Sequence, residues 1–213
     1  MRPFLLWQNF LQCASFSLAA TFQWPLYQLD VKNIFLHGDL TGKVYMEQPP
    51  GFVAQGESSQ LVCKLKKSLY GLKQSPRAWF GRFSLVVTEF GLHRCGVDHS
   101  VFYKLAKHGK IWLLVYVDDI IITGDDIQGI KELKIFLQKK FNTKDLGSLK
   151  YFLGIEIARS TRGLVLSQRK YVLDLLYETG LLGCKSTDTP MDSNIKLILK
   201  QESFLITQVH TED

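Results

Sequence analysis

Ile111-Trp112-Leu113-Leu114-Val115-Tyr116-Val117, then Asp118-Asp119, then Ile120-Ile121-Ile122-Thr123 and a closing Gly124-Asp125 is the stretch on which the fold turns. Two runs of β-branched and aromatic residues around a polar pair predict a β-hairpin. Two carboxylates in the middle of so apolar a run need a reason, because an uncompensated buried charge is costly. The pair must lie at an exposed turn, meet cations or hold a metal. A plain turn explains it equally well on residue statistics, Asp being a common turn residue.

Upstream, Ser75-Pro76 opens a segment from Arg77 to Phe90 with Ala78, Trp79, Phe83, Val86, Val87 and Phe90 at helical spacing, and Gly91 stops it. Downstream, Ile127, Ile130, Leu133, Leu137 and Phe141 mark a second amphipathic helix ending near Asn142. Leu149 to Ala158 is a strand candidate, followed by the turn Ser160-Thr161-Arg162-Gly163, a strand from Leu164 to Leu166 and a short helix from Gln168 to Tyr177 that ends at Gly180. Helices alternating with strands around a central hairpin predict an α+β fold, an antiparallel sheet with helices packed on one face.

With 213 residues, 46% of them apolar, the chain can build one sizeable domain or two small ones. Its net charge of +6 favours polyanionic partners without selecting nucleic acid among them. Cys13, Cys63, Cys95 and Cys184 form no CxxC pair, which argues against a zinc cluster or a disulfide framework and for a reducing, intracellular setting. Met1 to Phe22 has a leader's mild apolarity, interrupted by Gln8, Asn9 and Gln12, and no other segment approaches a membrane span. The expectation is a soluble chain with no membrane partner.

A second acidic position lies in Leu26-Tyr27-Gln28-Leu29-Asp30-Val31, a strand-like run ending in an aspartate. Two-metal phosphoryl chemistry needs carboxylates from separate elements converging on a pair of ions, and Asp30 and Asp118 could supply them from adjacent strands. A lone Asp at a strand end is more often a helix cap or a solvated side chain. Lys64, Lys66, Lys67, Lys73 and Arg77, interleaved with Tyr70 and Trp79, suit phosphate contacts and base stacking, or form a solvated face. Gly38-Asp39-Leu40-Thr41-Gly42-Lys43-Val44 is one residue short of a phosphate-binding loop and lacks its Ser or Thr. His93, Cys95, Asp98 and His99 fit no zinc spacing and read as a loop entering the strand Val101-Phe102-Tyr103.

Five segments in order carry a family resemblance. Gln28-Leu29-Asp30-Val31-Lys32-Asn33-Ile34-Phe35-Leu36-His37-Gly38, Val44-Tyr45-Met46-Glu47-Gln48-Pro49-Pro50-Gly51-Phe52 and Leu65-Lys66-Lys67-Ser68-Leu69-Tyr70-Gly71-Leu72-Lys73-Gln74-Ser75-Pro76-Arg77-Ala78-Trp79 come first. Tyr116-Val117-Asp118-Asp119 and Lys144-Asp145-Leu146-Gly147-Ser148-Leu149-Lys150-Tyr151-Phe152-Leu153-Gly154-Ile155-Glu156 follow. Together they resemble the reverse transcriptase of Ty1/copia-type LTR retrotransposons, an RNA-directed DNA polymerase encoded within a Pol polyprotein. The resemblance implies a palm with partial fingers over residues 17–196, flanked by a divergent remnant, 1–16, and an unrelated or disordered tail, 197–213.

It also implies roles. Asp30 and Asp118 would hold two Mg²⁺ ions, with Mn²⁺ as a substitute, the Val31 carbonyl completing one site and Asp119 the neighbouring catalytic carboxylate. Phe35 would be the gate against a ribonucleotide 2′-hydroxyl, and Tyr70, Gly71 and Lys73 would meet the incoming dNTP. Arg77, Phe152, Leu153 and Gly154 would contact the RNA or DNA template-primer, while Lys144 would protonate the leaving pyrophosphate. The family context is a Pol polyprotein with protease, integrase and ribonuclease H, which are expected to be absent here. Ile34 stands where the family has a small residue, so added volume beside the nucleotide pocket is expected. With ends that look cut short, this leaves the alternative of an inactive remnant that at most binds nucleic acid.

Overall fold

The computed structural model describes residues 15–49, 51 and 61–186. The expected N-terminal remnant, apart from its last two residues, the expected tail, Cys13, Pro50 and Phe52 lie outside the described residues. Residues 15–21 are helical (α1). They are followed by β1 (Leu26–Val31), a 3-10 turn (Ile34–His37), β2 (Tyr45–Glu47), β3 (Val62–Lys64) and α2 (Ser75–Glu89). Next come β4 (His93–Arg94), β5 (Val101–Ala106), β6 (Gly109–Tyr116), β7 (Asp119–Gly124) and α3 (Ile127–Phe141). The series closes with β8 (Thr143–Ser148), β9 (Tyr151–Phe152), β10 (Ile155–Ser160), β11 (Gly163–Ser167) and α4 (Arg169–Glu178).

Six strands form one antiparallel sheet in the order β4-β5-β6-β7-β1-β8, with the β6–β7 hairpin at its centre. Alternate residues of these strands serve opposite faces. Leu29, Val31, Leu113, Val115, Ile120 and Ile122 meet Trp79, Phe83, Val86 and Val87 of α2 and Ile130, Leu133, Leu137 and Phe141 of α3 in one core. Leu26, Val101, Leu114 and Ile121 meet Phe16 and Ala19 of α1 and Phe152 and Ile157 of a small sheet, ordered β11-β10-β9, in another. Both faces are covered, so Ile120, Ile121 and Ile122 are all buried although they alternate in direction. Burying each such side chain contributes about 1.5–3 kcal/mol over leaving it in water.

The two long helices start and stop where local chemistry directs. Pro sits in the first turn of α2, and Ser75 Oγ donates to the Leu69 carbonyl at 2.6 Å. The Asp126 side chain caps α3 by accepting from the Gly129 N–H at 2.8 Å, Asn142 ends the helix at φ 53°, and Lys139 and Lys140 lie in its last turn.

Three expectations need correction. Helices do not all lie on one face of the sheet: α2 and α3 cover one side, and α1 packs on the other. The single strand expected from Leu149 to Ala158 is a hairpin, β9 and β10, broken by Leu153 at φ 48° and Gly154 at φ 81°. Positive φ at both loop residues is the two-residue turn that matches strand twist. β8, not foreseen as a strand, pairs along β1 as the border of the large sheet. The Gln168-to-Tyr177 helix forms as α4, shifted by one residue.

The chain divides into two compact units between Gln168 and Arg169. The second contains α4, with a Lys170–Asp174 ion pair at i,i+4 spacing. Among the described residues no helix is long and apolar enough to cross a membrane.

Candidate functional site

The central hairpin closes on a two-residue loop. Tyr116 pairs with Asp119, so the loop is Val117-Asp118 rather than the expected Asp118-Asp119 pair. Val117 takes φ 51°, a region that a β-branched residue enters only under constraint. Asp118 is exposed at the tip, and Asp119 begins β7, half-buried. On β1, Asp30 stands in register with Asp119, and on β8 Lys144 stands in register with Asp30. Residues directly opposite in an antiparallel pair have Cβ atoms about 4.5–5.5 Å apart, so Asp119, Asp30 and Lys144 form a row across three strands on one face.

Hydrogen bonds fix the row. The Val31 N–H donates to the Asp118 carbonyl at 3.0 Å. The Trp79 indole N–H donates to the Val117 carbonyl at 3.0 Å. Gln28 Nε2 donates to Asp119 Oδ1 at 2.8 Å. Gln28 lies two residues before Asp30 on the same strand face, the one positional signal that could have singled it out. Burial pushes the Asp119 carboxyl above its ordinary pKa; the Gln28 hydrogen bond pulls it back, and the charges of Asp118 and Asp30 push it up. Three carboxylates therefore sense one another. Among the described residues no Lys, Arg or His forms an ion pair with any of them.

This arrangement can hold a divalent cation at its tip. Among the described residues no three or more His, Cys, Asp or Glu side chains are already gathered as a metal cage. A Mg²⁺ site is typically one or two carboxylates plus water and substrate phosphates, which Asp30 and Asp118 fit. The Val31 carbonyl belongs to the buried end of β1, beside the Asp118 loop.

The raised Asp119 carboxyl has a consequence for stability. The fold disfavours its ionised form, so the penalty is absent below the unfolded value near 3.8 and complete above the folded one. In metal-free buffer at pH 7, Asp119→Asn is expected to stabilise the chain and raise its melting temperature. The gain should vanish below about pH 4. Thermal melts at the two pH values read it directly.

A second group of expected residues gathers around the 3-10 turn. The half-buried Phe35 ring meets the exposed Tyr70 edge-on at 4.6 Å between centroids. The fully buried Ser68 donates twice, its hydroxyl to the Phe35 carbonyl and its N–H to the Gly38 carbonyl at 3.0 Å. Gly38 has no room for a side chain, since a Cβ there would lie 2.8 Å from the Trp79 nitrogen. Gly71, exposed at φ 88°, and the exposed Lys73 and Arg77 follow along the approach to α2 and its first turn. Arg77 lines a groove with Asp39, Thr41, Gln74 and Arg82.

Ile34 is wholly buried in the core shared by α2 and α3, against which the half-buried Phe35 also packs. Phe152 is likewise buried, its ring packed edge-on against Phe16 and Tyr116 at 6.3 Å each. Only Leu153 and Gly154, at the turn, are placed to touch anything outside. His93, Cys95, Asp98 and His99 hold no metal-like arrangement; Asp98 Oδ1 instead accepts from Ser100 N at 2.8 Å and Oγ at 2.7 Å, shaping the entry to β5.

A family model described as reverse transcriptase (RNA-dependent DNA polymerase) matches residues 13–193. Retrovirus-related Pol polyproteins from the Arabidopsis thaliana transposons RE2 and RE1 are 47% and 46% identical over 176 residues, 83% of this chain and 12% of each relative. The corresponding polyprotein from transposon TNT 1-94 of Nicotiana tabacum is 43% identical over 187 residues, 86% of this chain and 14% of the relative. The chain thus spans 12% to 14% of the length of these relatives.

Proposed function

We propose, from the premise that the chain belongs to the reverse transcriptase (RNA-dependent DNA polymerase) family, that it is the palm, with part of the fingers, of a copia-type RNA-directed DNA polymerase. Its reaction would be attack of a primer 3′-hydroxyl on the α-phosphate of a dNTP, with pyrophosphate leaving. One observation carries the reading. Asp30 on β1, Asp119 on β7 and Asp118 in the loop before it are close enough for the charges of Asp30 and Asp118 to raise the Asp119 carboxyl, and none of the three forms an ion pair with a Lys, Arg or His among the described residues.

Two Mg²⁺ ions, or Mn²⁺ in their place, would lower the pKa of the attacking hydroxyl and neutralise charge on the leaving pyrophosphate. Asp30 and Asp118, with the Val31 carbonyl, would hold them. Asp119, oriented by Gln28, adds negative charge beside the pair and would act as the third carboxylate. Phe35, braced by Tyr70, would exclude a 2′-hydroxyl, while Gly71 and Lys73 would take the dNTP's base and phosphates. Arg77 would contact the template-primer backbone, and Leu153 with Gly154 would press the primer terminus. Lys144, in register with Asp30, would supply a proton to the pyrophosphate.

The test is extension of a DNA primer on an RNA template by the purified chain with Mg²⁺ and dNTPs, beside an Asp118→Asn control. Extension by the parent and not by the control is the expected result. Salt-dependent binding of the template-primer without extension would establish the inactive remnant instead.

A further inference from the structure

We propose that Trp79 is a positioning residue for Asp118, acting through the hydrogen bond from its indole N–H to the Val117 carbonyl. The inference rests on the reading of Asp118 as a cation-holding carboxylate. Its basis is the geometry of the hairpin loop. The peptide group before Asp118 ends in the Val117 carbonyl, which Trp79 holds at 3.0 Å from α2. The peptide group after it ends in the Asp118 carbonyl, which the Val31 N–H holds at 3.0 Å from β1. Both planes that flank the Asp118 Cα are therefore anchored, and its side chain leaves the loop in a set direction.

Such anchoring is needed because the loop is strained. Val117 at φ 51° is a conformation that a β-branched residue keeps only when its surroundings over-determine it. Among the described residues the side-chain bond to this loop comes from Trp79. Its ring is 2% exposed, wedged among Phe83 at 5.4 Å, Phe141 at 5.0 Å and His37 at 6.0 Å between centroids. Phenylalanine would fill much of that space, but only an indole both fills it and reaches the loop with a donor. Two residues before Trp79, the same helix carries Arg77 on its exposed side, so substrate contacts at the start of α2 and the carboxylate at the hairpin tip share one rigid element.

The test replaces Trp79 with 3-benzothienylalanine, which keeps the ring shape and puts sulfur in place of the N–H, alongside Trp79→Phe. In the sulfur variant the melting temperature should stay within a few degrees of the parent's, while kcat for primer extension falls about 10- to 100-fold with KM for dNTP nearly unchanged, as for a misplaced reacting group. Independently of activity, the backbone amide resonances of Val117, Asp118 and Asp119 in metal-free protein should move, those of α3 should not, and the slowly exchanging indole proton of the parent should vanish. Unchanged kcat, or unchanged amide resonances over residues 117–119, would overturn the proposal. If the parent itself fails to extend a primer, the polymerase reading falls, and the amide resonances still decide whether Trp79 sets the loop.

Discussion

Primer extension by the Asp30→Asn and Asp118→Asn chains is expected to fall by about 10³-fold or more in each, and by little further in the double variant. Each substitution keeps the side chain's shape and removes one of the two formal charges proposed to hold the cations. Cation-stabilised charge in phosphoryl transfer amounts to several kcal/mol, and each 1.36 kcal/mol is tenfold in rate, so about 4 kcal/mol gives the stated loss. The two carboxylates act on one reacting centre, so removing the second after the first should cost little, as for other residues that work as a unit. Stability should hold or rise, because Asp118 is exposed and the charges of Asp30 and Asp118 work against ionisation of Asp119. Single-turnover extension with a thermal melt of each variant makes the measurement; losses that multiply in the double variant would assign the carboxylates to separate steps.

Gly124→Ala is expected to destabilise the chain by about 4 kcal/mol or more, a large part of the 5–15 kcal/mol that holds a typical domain folded. Gly124 ends β7 opposite Ile111, at φ 148°, and a Cβ there would sit 2.0 Å from the Lys110 carbonyl oxygen and 2.9 Å from its carbon. Those atoms are backbone of the paired strand and cannot swing aside as a side-chain tip can. Gly163→Ala separates the two causes of the cost. Its φ is 141°, yet nothing lies within 4 Å of the added carbon, so strain alone, about 1–3 kcal/mol, should remain. Urea unfolding of both variants reads the difference; equal losses would show that the contact with Lys110 relaxes freely.

Periodicity made the central hairpin, α2 and α3 legible, since each buries an apolar set at the spacing its backbone requires. β8 was not, because Thr143-Lys144-Asp145-Leu146-Gly147-Ser148 has little intrinsic strand preference and owes its conformation to pairing with β1. The turn at Leu153-Gly154 was hidden by the apolar residues around it, and Leu153 at positive φ carries no turn signature. The hairpin loop was read one residue late for the same reason: Val117 is a strand former, and its conformation depends on Trp79, 38 residues away. The nearness of Asp30 to the hairpin aspartates could be anticipated, but the bond from Gln28 to Asp119 depends on strand register and could not.

The register between β1 and β8 shifts after Gln28, where Gln28 faces Gly147 and Leu29 faces Asp145, leaving Leu146 over as an extra residue on β8. That irregularity falls on the outermost strand, whose far side has no partner among the described residues. A straight, regular border would be a template onto which a second chain could add its own strand. An extra residue bends the border and breaks its hydrogen-bonding rhythm, and Lys144 and Asp145 add charge along it. The same few residues that bring Lys144 level with Asp30 therefore also discourage lateral growth of the sheet into fibrils.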